Sequence, residues 1–179
     1  MPFIFNGEES GAPTILLGHG AGAPMDSEFM QEIAAELAAR KCRVARFEFD
    51  YMAERRHVGK RRPPPKIETL LDEYRAAVAE LGKVEKLVIG GKSMGGRVAS
   101  MIADELWAEG VVAGLLCLGY PFHPARAPER LRTSHLADIR TPTLICQGTR
   151  DKSAPARRWK ATRFPTGSSF SGWRMATMT

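Results

Sequence analysis

The chain has 179 residues, enough for one domain whose core needs no disulfide or metal, and its 44% apolar and 26% charged residues are ordinary for a globular protein. A net charge of +6 first suggests a polyanionic partner, but residues 1–151 carry twenty basic and twenty acidic side chains. The whole excess (Lys152, Arg157, Arg158, Lys160, Arg163, Arg174) sits in residues 152–179, a tail without acids, which argues against nucleic-acid binding by the body of the chain. No signal-peptide pattern opens the sequence, and no apolar run nears the roughly 18 residues of a membrane span. Cys42, Cys117 and Cys146 have no C-x-x-C spacing; the last two lie in apolar runs and read as buried thiols. These features predict a cytoplasmic protein with no membrane association; no metal or organic cofactor is implied.

Phe3 to Phe5 reads as a short edge strand, and Thr14 to Gly18 as a buried one that ends in His19-Gly20-Ala21-Gly22. Asp26 or Ser27 can cap a helix whose apolar face is Phe29, Met30, Ile33 and Leu37, ending at Arg40. A strand from Arg43 to Tyr51 follows, with Val44, Phe47 and Phe49 as core. Residues 52–65 are strongly basic and close on three prolines; they read as a loop, either a solvated crossover or a guide for an anionic substrate. Ile67, Leu70, Leu71, Tyr74, Val78 and Leu81 share one helical face, which stops at Gly82.

Leu87 to Gly90 is a buried-strand run, and from Met94 the chain is helical, with Val98, Met101, Ile102 and Leu106 inward. Between them Gly91-Lys92-Ser93-Met94-Gly95 matches G-x-S-x-G. A serine lifted from a sharp strand-to-helix turn needs neighbours without a β-carbon two positions before and two after, and the helix dipole then faces its oxygen. A phosphate-binding loop would need glycine where Lys86 stands, so that reading fails. A plain glycine-rich turn with an exposed serine stays open at this point. Strands from Val111 to Leu118 and Pro142 to Gly148 follow, the second leading to Asp151. Strands alternating with amphipathic helices predict an α/β three-layer sandwich with a mostly parallel sheet, functional groups lying at the strand C-terminal ends.

Ser93, the His19–Gly22 loop and Asp151 thus converge. Together with L-L-G-H-G-A-G-A-P-M-D-S, R-F-E-F-D-Y-M, C-L-G-Y-P-F-H-P and T-P-T-L-I-C-Q-G-T-R-D, they resemble the α/β-hydrolase superfamily. Within it they resemble small dienelactone-hydrolase-like bacterial proteins that share a domain with an animal chromatin-complex subunit. The resemblance implies a serine esterase-like hydrolase of small-molecule acyl substrates. Ser93 would be its nucleophile and Asp151 the carboxylate that orients a histidine, with the amides of Ala21 and Met94 as the oxyanion hole and Gly20, Gly91 and Gly95 shaping loop and elbow. A non-catalytic interaction module of the same fold is the alternative.

The family's base follows the acid in sequence, yet His19, His57, His123 and His135 all precede Asp151. After Lys152 the expected last helix and strand are missing or altered. Read one base earlier, the codons for Trp173 to Thr179 allow L-E-D-G-D-H-D, which resembles the family's strand end and catalytic histidine. The expectation is a frameshift after about residue 151. It leaves a hydrolase core over 1–151, a poorly ordered basic tail over 152–179, and a chain weak or inactive as written.

Overall fold

The computed structural model describes residues 2–8, 13–59, 62–124 and 126–148, together with the backbone of 177–178. Strands β1 (Phe3–Asn6), β2 (Thr14–Gly18), β3 (Arg43–Phe47), β4 (Leu87–Lys92), β5 (Gly114–Leu118), β6 (Thr143–Gly148) and β7 (Thr177–Met178) form one sheet in the order β1-β3-β2-β4-β5-β6-β7. Only the β1–β3 pair is antiparallel; all the other neighbours run parallel. The helices are α1 (Glu28–Ala39), α2 (Asp50–Val58), α3 (Ile67–Leu81) and α4 (Met94–Ala108). Among the described residues no helix is long and apolar enough to cross a membrane.

The strands alternate their side chains between two apolar clusters, as period two requires. Ile15 and Leu17 join Val44, Leu116 and Leu118 against Met30 and Ala34 of α1. Leu16 joins Ala45, Phe47 and Ile89 on the opposite face, against Tyr74 of α3 and Val98 of α4. Every residue of β2 and β5 is buried, which is why both read as unbroken apolar runs. The result is the expected three-layer α/β sandwich, with its last strand reduced to a two-residue pairing of Thr177 and Met178 with Gln147 and Gly148.

Tyr74 does more than fill the core. Its fully buried hydroxyl accepts from Gly90 N–H at 2.9 Å and lies 2.7 Å from Gly90 O and 2.9 Å from Leu16 O, tying α3 to β2 and β4 just below the strand ends. Burial pushes this phenol far above its ordinary pKa, so it remains a donor.

Four expectations need correction. The strand over 43–51 stops at Phe47; Phe49 caps α2 and Asp50 and Tyr51 are already helical. Residues 50–58, taken mostly as loop, are helix: Tyr51 and Met52 anchor it, Asp50 sits at its positive end, and Arg55, Arg56 and His57 sit at its negative end. Gly59, with φ 70°, terminates it, so the prolines at 63–65 come too late to matter. Met101 is exposed, because its face of α4 turns towards a surface cavity rather than the core. Val111 is exposed as well, the strand starting only at Gly114. Cys117 is buried as read, Cys42 and Cys146 are half-buried, and all three are free thiols.

Candidate active site

Ser93 occupies the single residue between β4 and α4. Its backbone has φ 49° and ψ −107°, a conformation an L-residue holds only where its surroundings impose it. Those surroundings can be named. Ser93 N–H donates to Leu118 O at 2.9 Å on the neighbouring strand, and Ser93 O accepts from Arg97 N–H at 3.0 Å to open the helix. Gly91 and Gly95, the two positions singled out by the spacing argument, lie against the end of β2. A β-carbon on Gly91 would run into Gly18 O and come within 2.9 Å of the Gly95 carbonyl carbon; one on Gly95 would run into Gly18 O and come within 2.8 Å of His19 O.

The register explains this contact. Gly18 pairs with Gly91, so the chain leaving β2 must pass beside the turn leaving β4. Gly20 is buried there, and a β-carbon on it would lie 3.9 Å from the Ser93 β-carbon and 3.5 Å from Lys92 Cγ. That is ordinary contact, so Gly20 marks closeness rather than a steric demand. Lys92 in turn places its ammonium 4.7 Å from the centre of the Phe29 ring, linking α1 to the elbow.

Ala21 and Met94 are brought together by a residue the sequence reading had placed at a strand end. Tyr51 donates its hydroxyl to Ala21 O at 3.1 Å and lies 3.9 Å from Met94 Sδ. Met94 opens α4, where a helical amide has no intrahelical acceptor. Neither its N–H nor that of Ala21 has an acceptor among the described residues. Burial raises the Tyr51 phenol to about 12, and it stays protonated as a strut. The motif R-F-E-F-D-Y-M contained this tyrosine, but nothing in its local pattern distinguished a hydrogen-bonding strut from a core aromatic.

The loop is braced from outside by Arg56. Its guanidinium donates to both oxygens of Glu48, at 2.6 and 2.9 Å, and to both of Asp26, at 3.0 and 2.7 Å. Glu48 also accepts from Met25 N–H at 3.2 Å, and Arg55 reaches Gly22 O at 3.3 Å. At these two positions the basic stretch supports structure.

The histidines divide clearly. His19 is fully buried: Nδ1–H donates to Gly20 O at 2.7 Å and Nε2 accepts from Phe49 N–H at 3.1 Å. With both nitrogens committed it is a loop support, not a base. His57 is exposed in the last turn of α2. Nδ1–H of His123 donates to Pro124 O at 3.0 Å, leaving a buried Nε2 without a partner among the described residues. His135 is hydrogen-bonded to Ser100 at 2.8 Å. Among the described residues no histidine bonds Ser93, and Asp151, beyond the end of β6 at Gly148, lies outside them.

Protonating His19 would set a proton against the Phe49 N–H that already points at Nε2. Burial, the largest influence, holds its pKa below the usual 6.5. A folded pKa below the unfolded one means the unfolded chain binds more protons, so this contribution to stability is fully present above pH 6.5 and fades as pH falls from there towards the folded value. The urea midpoint is expected to drop more steeply from pH 7 to pH 5 in the native sequence than in His19→Gln, whose stability at pH 7 is lower. Equal slopes would show that another group titrates.

Over residues 11–174 the sequence matches the family model described as an alpha/beta hydrolase domain, and the chain belongs to that family. The fold is similar to an alpha-beta serine hydrolase homologue from Coxiella burnetii, with a TM-score of 0.60 and 20% identity over 87% of this chain and 72% of that one. It is similar to Est1E from Butyrivibrio proteoclasticus, at a TM-score of 0.61 and 12% identity over 87% and 75%. It is similar also to dienelactone hydrolase from Anabaena variabilis, at 0.59 and 19% over 82% and 66%, so the chain spans only about two thirds of that protein.

Proposed function

We propose that this chain is built as a serine hydrolase of a small ester, lactone or related acyl compound. The observation that carries the reading is the strained Ser93 turn packed against the chain from Gly18 to Gly20, which the amides of Ala21 and Met94 would complete as an oxyanion hole. Ser93 Oγ attacks the substrate carbonyl carbon and its proton passes to a base. The developing oxyanion takes hydrogen bonds from the two amides; the alcohol leaves with a proton, and water then releases the acid from the acyl-enzyme. Asp151 orients that base. No described histidine is hydrogen-bonded to Ser93, and the codons of the tail read one base earlier allow one at the position of Met178. The pairing of Thr177 and Met178 with the end of β6 supports this, because the C-terminal end of the sheet is also where the Ser93 turn opens. We therefore attribute the tail to a shifted reading frame and expect the chain as written to turn over poorly. Free thiols and the absence of a membrane-crossing helix among the described residues are compatible with a cytoplasmic setting.

The test is a fluorophosphonate label applied to the chain and to its frame-corrected form. Labelling of the corrected form that vanishes in Ser93→Ala supports the hydrolase. A corrected chain that folds but takes no label would instead favour a protein-interaction module on the same fold.

A further inference from the structure

On the outer face of α4, one turn beyond Ser93, a cavity of about 390 Å³ lies between the helix and the chain over residues 124–135. Its polar wall is Arg97, Arg130, Arg132, Ser134 and His135, and among the described residues no carboxylate lines it. Elsewhere in the described chain arginines are held by oxygens: Arg46 and Arg55 bond carbonyl or amide oxygens, and others bond carboxylates. Arg40, Arg56, Arg62, Arg75 and Arg140 each pair with an Asp or Glu, at distances from 2.6 to 3.9 Å. None of the three cavity arginines has such a partner among the described residues, and Arg97 Nε is shut off from solvent with no acceptor there at all.

The arrangement is held in place. Tyr120 donates its hydroxyl to Arg132 O at 2.8 Å, and Arg132 N–H donates to Phe122 O at 2.8 Å, fixing the backbone that presents the arginines. Ser100 gives its single hydroxyl hydrogen to Arg97 O at 2.8 Å. The 2.8 Å contact between Ser100 and His135 must then be His135 Nε2–H donating to the serine oxygen. Burial, and to a lesser degree the neighbouring Arg97 and Arg130, hold the Arg132 guanidinium below its usual pKa.

We propose that this cavity is a binding site for a phosphoryl dianion, either free phosphate or the head of a small phosphate monoester, separate from the Ser93 site. Three guanidiniums offer more donors than one carboxylate has lone pairs to accept, whereas the oxygens of a phosphoryl group can engage all three. The apolar side chains of Met101 and exposed Leu131 would flank the organic part of a monoester. Because Arg97 N–H also closes the first turn of α4 on Ser93 O, the two sites share one helix end.

The experiment is calorimetric titration of the full chain with inorganic phosphate and with phenyl phosphate, chloride replacing them at constant ionic strength. Saturable one-to-one binding is expected, weakened at least tenfold in Arg130→Gln/Arg132→Gln and unchanged in Arg43→Gln, whose guanidinium lies over the Phe5 ring instead. Tighter binding of phenyl phosphate assigns the site to a monoester, and equal affinity assigns it to the free ion. Heats that do not saturate, or a double variant that binds as the native sequence does while keeping its circular dichroism, overturn the proposal. Neither result depends on Ser93 labelling, so this site and the hydrolase reading fail separately.

Discussion

Reading the last codons one base earlier and expressing that product is expected to raise turnover of p-nitrophenyl acetate by roughly 10⁴-fold or more over the chain as written, the scale on which removing one member of a serine triad acts. The reasoning is electrostatic. A serine hydroxyl is a weak nucleophile until a base takes its proton, and no described histidine bonds Ser93: His19 is committed to two hydrogen bonds, His135 to Ser100 and His123 Nδ1 to Pro124 O, while His57 lies exposed on α2. The two free amides would still hold an oxyanion, so the chain as written should retain a slow residual rate above water, lost when the Ser93 turn is destroyed. Returning Ser93→Ala in the corrected chain should bring turnover back to background. A corrected chain within tenfold of the original, or DNA with no histidine in the shifted frame near the codons for Met175 to Thr179, would remove the frameshift from consideration.

What the residue pattern could reveal was what depends on neighbours in sequence. β2 and α3 came out with the bounds their patterns suggested, because a fully buried strand is a continuous apolar run and α3 is terminated by glycine. The sharp strand-to-helix turn at Ser93 was legible for the same reason: its steric demand falls on Gly91 and Gly95, two residues either side. α2 was hidden because its anchoring is thin, only Tyr51 and Met52 being buried, while the rest of its stabilisation comes from the dipole and from Arg56 clamping Glu48 and Asp26 across the fold. No local pattern records such a clamp. Arg97 and Arg130 to His135 meet only because α4 and the chain after β5 are packed together, so the cavity they line was invisible until the layers were assembled.

Gly95→Ala should be strongly destabilising. Two effects oppose each other: alanine is the better helix former by up to about 1 kcal/mol, and less than that in a first turn. Against it stands a β-carbon driven into Gly18 O and to 2.8 Å from His19 O. Both obstacles are backbone, fixed by the pairing of Gly18 with Gly91, so neither can swing aside as a side-chain end would. The cost is expected at the upper end of overpacking penalties, about 3 kcal/mol or more, read as a lower urea midpoint. Relief could come only by parting the Ser93 turn from the His19–Ala21 loop, so fluorophosphonate labelling of the frame-corrected chain should fall in the molecules that remain folded. Gly22→Ala is the matched control: a β-carbon there meets nothing within 4 Å, and its effect should stay within about 0.5 kcal/mol. If Gly95→Ala were instead as stable as Gly22→Ala and labelled as fast as the parent, the turn would not be pressed against β2 in solution, and the two amides would have no fixed place from which to meet an oxyanion.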